Sequence, residues 1–242
     1  MFLKSMWKIF IDNLPMFGAG VAKTIIISLI GTVIGLIIGL VVAIVRTSPR
    51  PIDKFKAALL KFFHGLTSIY ITFFRGTPMI VQAMVMYYGF KKVTGIELDR
   101  MFAACLIVSI NTGAYLTEVV RGGIEGVSIG QMEAAQTLGL SHFKTMRLII
   151  LPQAMRSALP AIGNEFIINV KDTSVLNVIS VTELYFTTKS IASNNFMFFE
   201  TYFVTCIIYL IMTLVITTIL HLIENKLRGP SEYRVVTNQI QV

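Results

Sequence analysis

The chain has 242 residues, of which 55% are hydrophobic and only 14% charged; a soluble domain carries about a quarter charged residues, so a soluble globular protein is excluded. The net charge of +8 is accounted for by basic loops facing an anionic membrane leaflet and requires no nucleic acid. Cys105 and Cys206 both fall inside apolar runs, which argues for packing residues and against a disulfide framework or a metal site.

In chain order, residues 1–20 come first. Phe2, Leu3, Met6, Trp7, Phe10, Ile11 and Leu14 line one helical face, with Lys4, Lys8, Asp12 and Asn13 elsewhere. This pattern predicts an interfacial amphipathic helix on the outer surface, followed by a hinge at Gly18–Gly20. Thr24–Val45 holds no charge, which meets the roughly 20 residues a spanning helix needs and predicts a first span over about 22–46. Gly31, Gly35 and Gly39 form a small-residue stripe that admits another helix backbone, from this chain or from a dimer partner. Pro51–Thr72 mixes Lys54, Lys56 and Lys61 with Phe55, Leu59, Leu60, Phe62 and Phe63, the pattern of a segment lying partly in the inner interface. The second span is expected over about 73–90, with Pro78 in its first turn, where a missing N–H costs nothing. A third follows over about 101–120. A fourth, over about 158–183, is interrupted by Glu165, Lys171 and Asp172, and a fifth covers about 201–225. The expectation is therefore all-α: one polytopic membrane domain with five transmembrane helices, a loop over 127–157 and a tail over 228–242.

Basic residues set the orientation. Arg46, Arg50, Lys54, Lys56 and Lys61 follow the first span, Arg121, Lys144, Arg147 and Arg156 the third, and Lys226, Arg228 and Arg234 the fifth. They outnumber Lys4, Lys8, Lys23, Lys91, Lys92, Arg100 and Lys189 on the opposite side. The positive-inside rule then puts the N-terminus outside, and the 127–157 loop and C-terminus in the cytoplasm.

That loop holds Glu133-Ala134-Ala135, then Gly139 and Leu140, then Ile149, Leu151 and Pro152. Gln131–Leu140 reads as a short helix stopped by a left-handed Gly139, and Ser141 caps a second helix running to a break at Leu151-Pro152. A rigid helix kept on the aqueous side can carry a partner's motion into the membrane. The spacing resembles the EAA loop of ATP-binding-cassette (ABC) importer permeases. The runs Phe74–Pro78, Gly113–Ile124, Gly130-Gln131, Asn164-Glu165 and Lys171–Leu176 are similar to the polar amino-acid (glutamine/histidine/arginine-type) branch. The resemblance implies a type I ABC importer permease fold in a bacterial cell membrane. It further implies docking of ABC ATPase subunits on Glu133, Ala134, Ala135, Gly139, Leu140 and Pro152, and a second permease subunit, same or related. An extracytoplasmic binding protein would deliver an amino acid. No cofactor is expected on this chain; ATP and magnesium would sit on the ATPase.

Ionisable residues inside a span mark a substrate path or a buried pair. At helical spacing Glu165, Asn169 and Asp172 share one face, and Asn111, Tyr115 and Glu118 share another. Asp172, Thr173, Ser174, Asn111 and Tyr115 are the candidate substrate contacts, since a carboxylate with hydroxyls suits an ammonium group. Glu118 and Glu165 are either ligand contacts or ion-paired structural residues. Arg75 either holds an α-carboxylate or serves as a gate or structural pair. Gly139–Thr145 is no phosphate-binding loop, because Lys144 stands where the second glycine belongs. With no nucleophile–base pair readable, the chain is expected not to be an enzyme. The rival is an ion-coupled secondary transporter using the same carboxylates, a class that usually carries internal repeats.

Overall fold

In the computed structural model, residues 2–49 and 51–228 are described, and they form helices and no strand. The order is α1 Phe2–Asp12, α2 Leu14–Thr47, α3 Lys54–Gly76, α4 Met79–Thr94, α5 Arg100–Glu125, α6 Ile129–Thr137, α7 His142–Thr145, a π-helical segment Met146–Ile150, α8 Leu151–Asp172, a 3-10 helix Thr173–Ile179, α9 Leu184–Asn195 and α10 Phe198–Arg228. Among the described residues, α2, α3, α5 and α10 are the four helices long and apolar enough to cross a membrane, one fewer than the five spans expected.

The centre is the α2–α5 pair. Gly31, Gly35 and Gly39 meet Val108, Thr112 and Leu116 in ascending order, so the two helices run parallel. A Cβ on Gly35 would stand 3.0 Å from Thr112 Cβ, and one on Gly39 would stand 2.9 Å from both the Leu116 carbonyl carbon and the Thr117 nitrogen. The glycine stripe is thus used within the chain, which resolves the alternative left open by the sequence.

Two parallel crossings need a return between them, and α3 with α4 supplies it. His64 Nε2 meets Val45 O at 2.9 Å near the end of α2, and the Tyr70 hydroxyl donates to Ile110 O at 2.6 Å midway along α5. Tyr87 of α4 then packs with Ala103, Ala104 and Ile107 at the start of α5. The expected inner-interface segment Pro51–Thr72 is therefore mostly the first half of this crossing. The expected second span over 73–90 straddles a break at Thr77 and Pro78, both extended. Interleaved lysines disguise α3 as an interfacial helix, because only its α2- and α5-facing side is covered.

α8 is outside the spanning set because polar residues along it, Gln153, Arg156, Asn164 and Glu165 among them, lower its hydropathy, yet it runs antiparallel to α5. Its Ala154 carbonyl lies against Gly123 and its Asn169 against Thr112. α10 returns alongside, with Leu220 against Gly163. At one end a cluster of Ala43, Val120, Ile124, Met146, Ile150 and Ala154 seats the loop containing α6 and α7.

Two local expectations are corrected. The hinge is at Asn13 (φ −115°), whose side chain donates to Ile9 O at 2.9 Å, with Pro15 opening α2. Gly18 and Gly20 lie inside α2, and Gly20 is needed because Leu184 backbone sits 2.9 Å from where its Cβ would be. Likewise Leu151-Pro152 is no break. The Leu151 N–H bonds to Met146 O in a π turn, which widens the helix around the proline, so the chain stays helical from His142 to Asp172. The tail residues 229–242, expected as a cytoplasmic end, lie outside the described residues.

Candidate functional site

Where the α3–α4 crossing breaks, α5 and α8 leave a polar cavity of about 210 Å³ lined by Thr77, Pro78, Met79, Asn111, Tyr115, Glu165, Ile168, Asn169 and Asp172. The break needs partners for the carbonyls that end α3, since an unpaired backbone group in a membrane costs several kcal/mol. Gln82, one turn into α4, provides them. Its Nε2 donates to Phe74 O at 3.0 Å and to Thr77 O at 2.9 Å, while its Oε1 accepts from Asn111 Nδ2 at 2.8 Å. Gln82 thereby fixes both the break and the orientation of Asn111.

Asn169 fixes the opposite wall. Its Oδ1 accepts from Thr112 Oγ1 at 3.0 Å and its Nδ2 donates to Thr32 Oγ1 at 2.9 Å, tying α8 to α5 and α2. Two carboxylates of the lining are left free. Glu165 and Asp172 make no ion pair and no hydrogen bond among the described residues. Opposite them, the first backbone N–H groups of α4 have no intrahelical partner, because that ladder begins with Val81 and Gln82 donating to Pro78 O. The cavity thus sets two carboxylates against the positive end of a helix.

The other sequence candidates are placed as follows. The Arg75 guanidinium lies over the Tyr115 ring, 5.5 Å from its centroid, beside the cavity and not in its wall. Glu118 pairs with Arg121 at 2.6 Å, and Arg121 also pairs with Glu125 at 2.7 Å, so Glu118 is occupied away from the cavity. Thr173 is fully buried and donates to Val170 O at 3.1 Å. Ser174 lies in the first turn of the 3-10 helix, and its carbonyl accepts from Asn177 Nδ2 at 2.7 Å. Neither Thr173 nor Ser174 lines the cavity. Sequence reasoning missed Gln82 altogether; its only signal was an amide one turn after Pro78.

At the far end, α6 holds Glu133 and Ala134 exposed and Ala135 buried. Gly139 takes φ +78°, and the Leu140 N–H reaches back to Ala135 O at 3.0 Å, closing the helix with a left-handed turn. Ser141 Oγ accepts from the Lys144 N–H at 3.4 Å and starts α7. Ile129, Leu138 and Phe143 are 76%, 81% and 72% exposed, an apolar edge around Glu133. Pro152 is exposed.

Residues 35–229 match the family model described as binding-protein-dependent transport system inner membrane component. A probable amino-acid permease protein, YxeN, of Bacillus subtilis is 38% identical over 170 residues, 69% of this chain and 75% of its own. The glutamine transport system permease protein GlnP of Escherichia coli is 38% identical over 161 residues, 66% of this chain and 74% of its own. A chain in the crystal structure of an amino acid ABC transporter with histidines superposes with a TM-score of 0.77 at 33% identity, covering 90% of this chain and 96% of that one.

Proposed function

The chain belongs to the family of binding-protein-dependent transport system inner membrane components, and from that premise we propose that its cavity is the amino-acid site of an ATP-driven importer. The chain is the membrane-spanning permease subunit of an amino-acid ABC transporter, a transport component. The observation that carries the site is the pair of unpartnered carboxylates, Glu165 and Asp172, facing the open N-terminus of α4 in one cavity. A zwitterion fits this polarity. Its α-carboxylate goes to the α4 N-terminus, the arrangement of discontinuous helices in transporters, and its ammonium goes to a carboxylate. The second carboxylate then favours a cationic side chain, accepts a neutral polar one and repels glutamate. Asn111 and Tyr115 line the path between the two ends.

Coupling is assigned to the exposed helix α6. Glu133, Ala134, Gly139, Leu140 and Pro152 face an ATPase subunit that binds ATP and magnesium, while Ala135 anchors the helix to its own chain. α7, the π turn and α8 form one helical run from that docking edge to Glu165 and Asp172. Displacing α6 therefore moves a wall of the cavity. A second permease subunit and an extracytoplasmic binding protein complete the assembly. In this reading the α6–α7 end is cytoplasmic and α1 and α9 lie outside, as the basic residues ask.

The test is uptake by the assembled importer in proteoliposomes, with arginine, lysine, glutamine and glutamate supplied in turn. Arginine or lysine uptake that falls at least tenfold in both Glu165→Gln and Asp172→Asn, with glutamine less affected, supports the site. Equal uptake of all four amino acids by both variants sinks it.

A further inference from the structure

We propose that the corner between the end of α2 and the start of α3 binds the phosphate of an anionic phospholipid headgroup. A cavity of about 310 Å³ lies there, lined by Ser48, Ala57, Leu60, Lys61 and His64. Its walls are fixed, because His64 Nε2 meets Val45 O at 2.9 Å and holds α3 against the last turn of α2. Lys61 makes no ion pair and no hydrogen bond among the described residues, so a free ammonium lines the space. No carboxylate lines it. The nearest acid in sequence, Asp53, is occupied in capping α3, its Oδ1 accepting from the Phe55 and Lys56 N–H groups at 2.8 and 3.0 Å. Arg46, Lys54 and Lys56 add positive field from the same end.

The occupant is a lipid and not a free anion because the cavity continues into an apolar track. Val41 and Ile37 continue, at helical spacing, the face of α2 that ends at Ser48, and each is 58% exposed. That track leads from the headgroup level toward the level of Tyr70, where α3 meets the middle of α5. A basic pocket between membrane helices on the cytoplasmic side, with an acyl path beneath it, is the arrangement that holds anionic headgroups. The proposal rests on the proposed function only in assigning this end of the molecule to the cytoplasmic face.

The experiment is native mass spectrometry of the purified importer complex released from nanodiscs of phosphatidylcholine with phosphatidylglycerol, counting retained phosphatidylglycerol. Lys61→Gln is expected to cut retention about fivefold, the equivalent of about 1 kcal/mol for one basic residue at an anionic surface. Lys61→Glu is expected to cut it further, and Lys189→Gln, on the other face, to leave it unchanged. Three results overturn the proposal: unchanged retention in Lys61→Glu, equal retention of phosphatidylcholine, or displacement of the lipid by inorganic phosphate, which would mark a free-anion site. Labelling a Lys61→Cys thiol from each side of sealed vesicles reports the topology separately. A wrong orientation is thereby distinguished from a wrong ligand, and neither readout depends on transport.

Discussion

Replacing Gln82 by methionine keeps the volume of the side chain and removes its polar end. Four hydrogen bonds go with it: those to Phe74 O at 3.0 Å, Thr77 O at 2.9 Å and Thr77 Oγ1 at 2.8 Å, and the one accepted from Asn111 at 2.8 Å. Side-chain hydrogen bonds inside membrane proteins average about 0.6 kcal/mol, so the four together give about 2 kcal/mol. For a chain of this size that corresponds to a fall in melting temperature of roughly 4–8 °C. Gln82 does not line the cavity, but Thr77 and Asn111 do, and its side chain bonds both. Substrate affinity therefore falls as well, by about tenfold if 1.4 kcal/mol of the positioning is lost. Thermal unfolding of the purified complex and ligand binding at equilibrium read the two effects. A Gln82→Met variant that melts and binds like the parent would refute the claim that this amide holds the break.

Four further perturbations follow from the surroundings of single residues. Gly39→Ala places a Cβ at 2.9 Å from two backbone atoms of α5, so the α2–α5 pair must open, at a cost of about 1–3 kcal/mol. Gly122→Ala meets nothing within 4 Å and should leave the melting temperature unchanged. Glu183 is fully buried and accepts from the Tyr185 and Phe186 N–H groups at 2.8 and 2.7 Å and from the Tyr209 hydroxyl at 3.3 Å. Glu183→Ala strands those donors and should destabilise by about 3 kcal/mol, visible as a lower melting temperature, with Glu183→Gln losing less. Glu133 is exposed, so Glu133→Arg should leave unfolding unchanged while abolishing uptake; normal uptake would remove α6 from the coupling role.

Composition and charge-free runs were enough to read the helical membrane class, because α2 and α10 are apolar nearly throughout. The glycine spacing announced a close helix contact but not its partner, since Gly31, Gly35 and Gly39 look the same facing Val108, Thr112 and Leu116 as they would facing another chain. α3 misled because Lys54, Lys56 and Lys61 share a helix with apolar residues; its contacts to Val45 and Ile110 are what reveal a crossing. Pro152 read as a stop because proline usually ends an α-helix, and a π turn absorbs it instead. In the site, Asn111, Tyr115, Glu165 and Asp172 were legible from helical spacing. Gln82 was not, because its partners are the carbonyls of Phe74 and Thr77, and no side-chain pattern announces a broken helix. The hydroxyls of Thr173 and Ser174 suit an ammonium group by chemistry, but the helix tightens there to 3-10 and neither residue lines the cavity.

The central claim is that ATP hydrolysis by a docked partner, and no ion gradient, drives amino-acid movement through this chain. The direct measurement is uptake by proteoliposomes holding the chain with its partner ATPase, with ATP and magnesium supplied and proton and sodium gradients abolished by ionophores. The account predicts undiminished uptake that stops without ATP or in Glu133→Arg. Uptake that follows an imposed ion gradient and proceeds without the ATPase would contradict it.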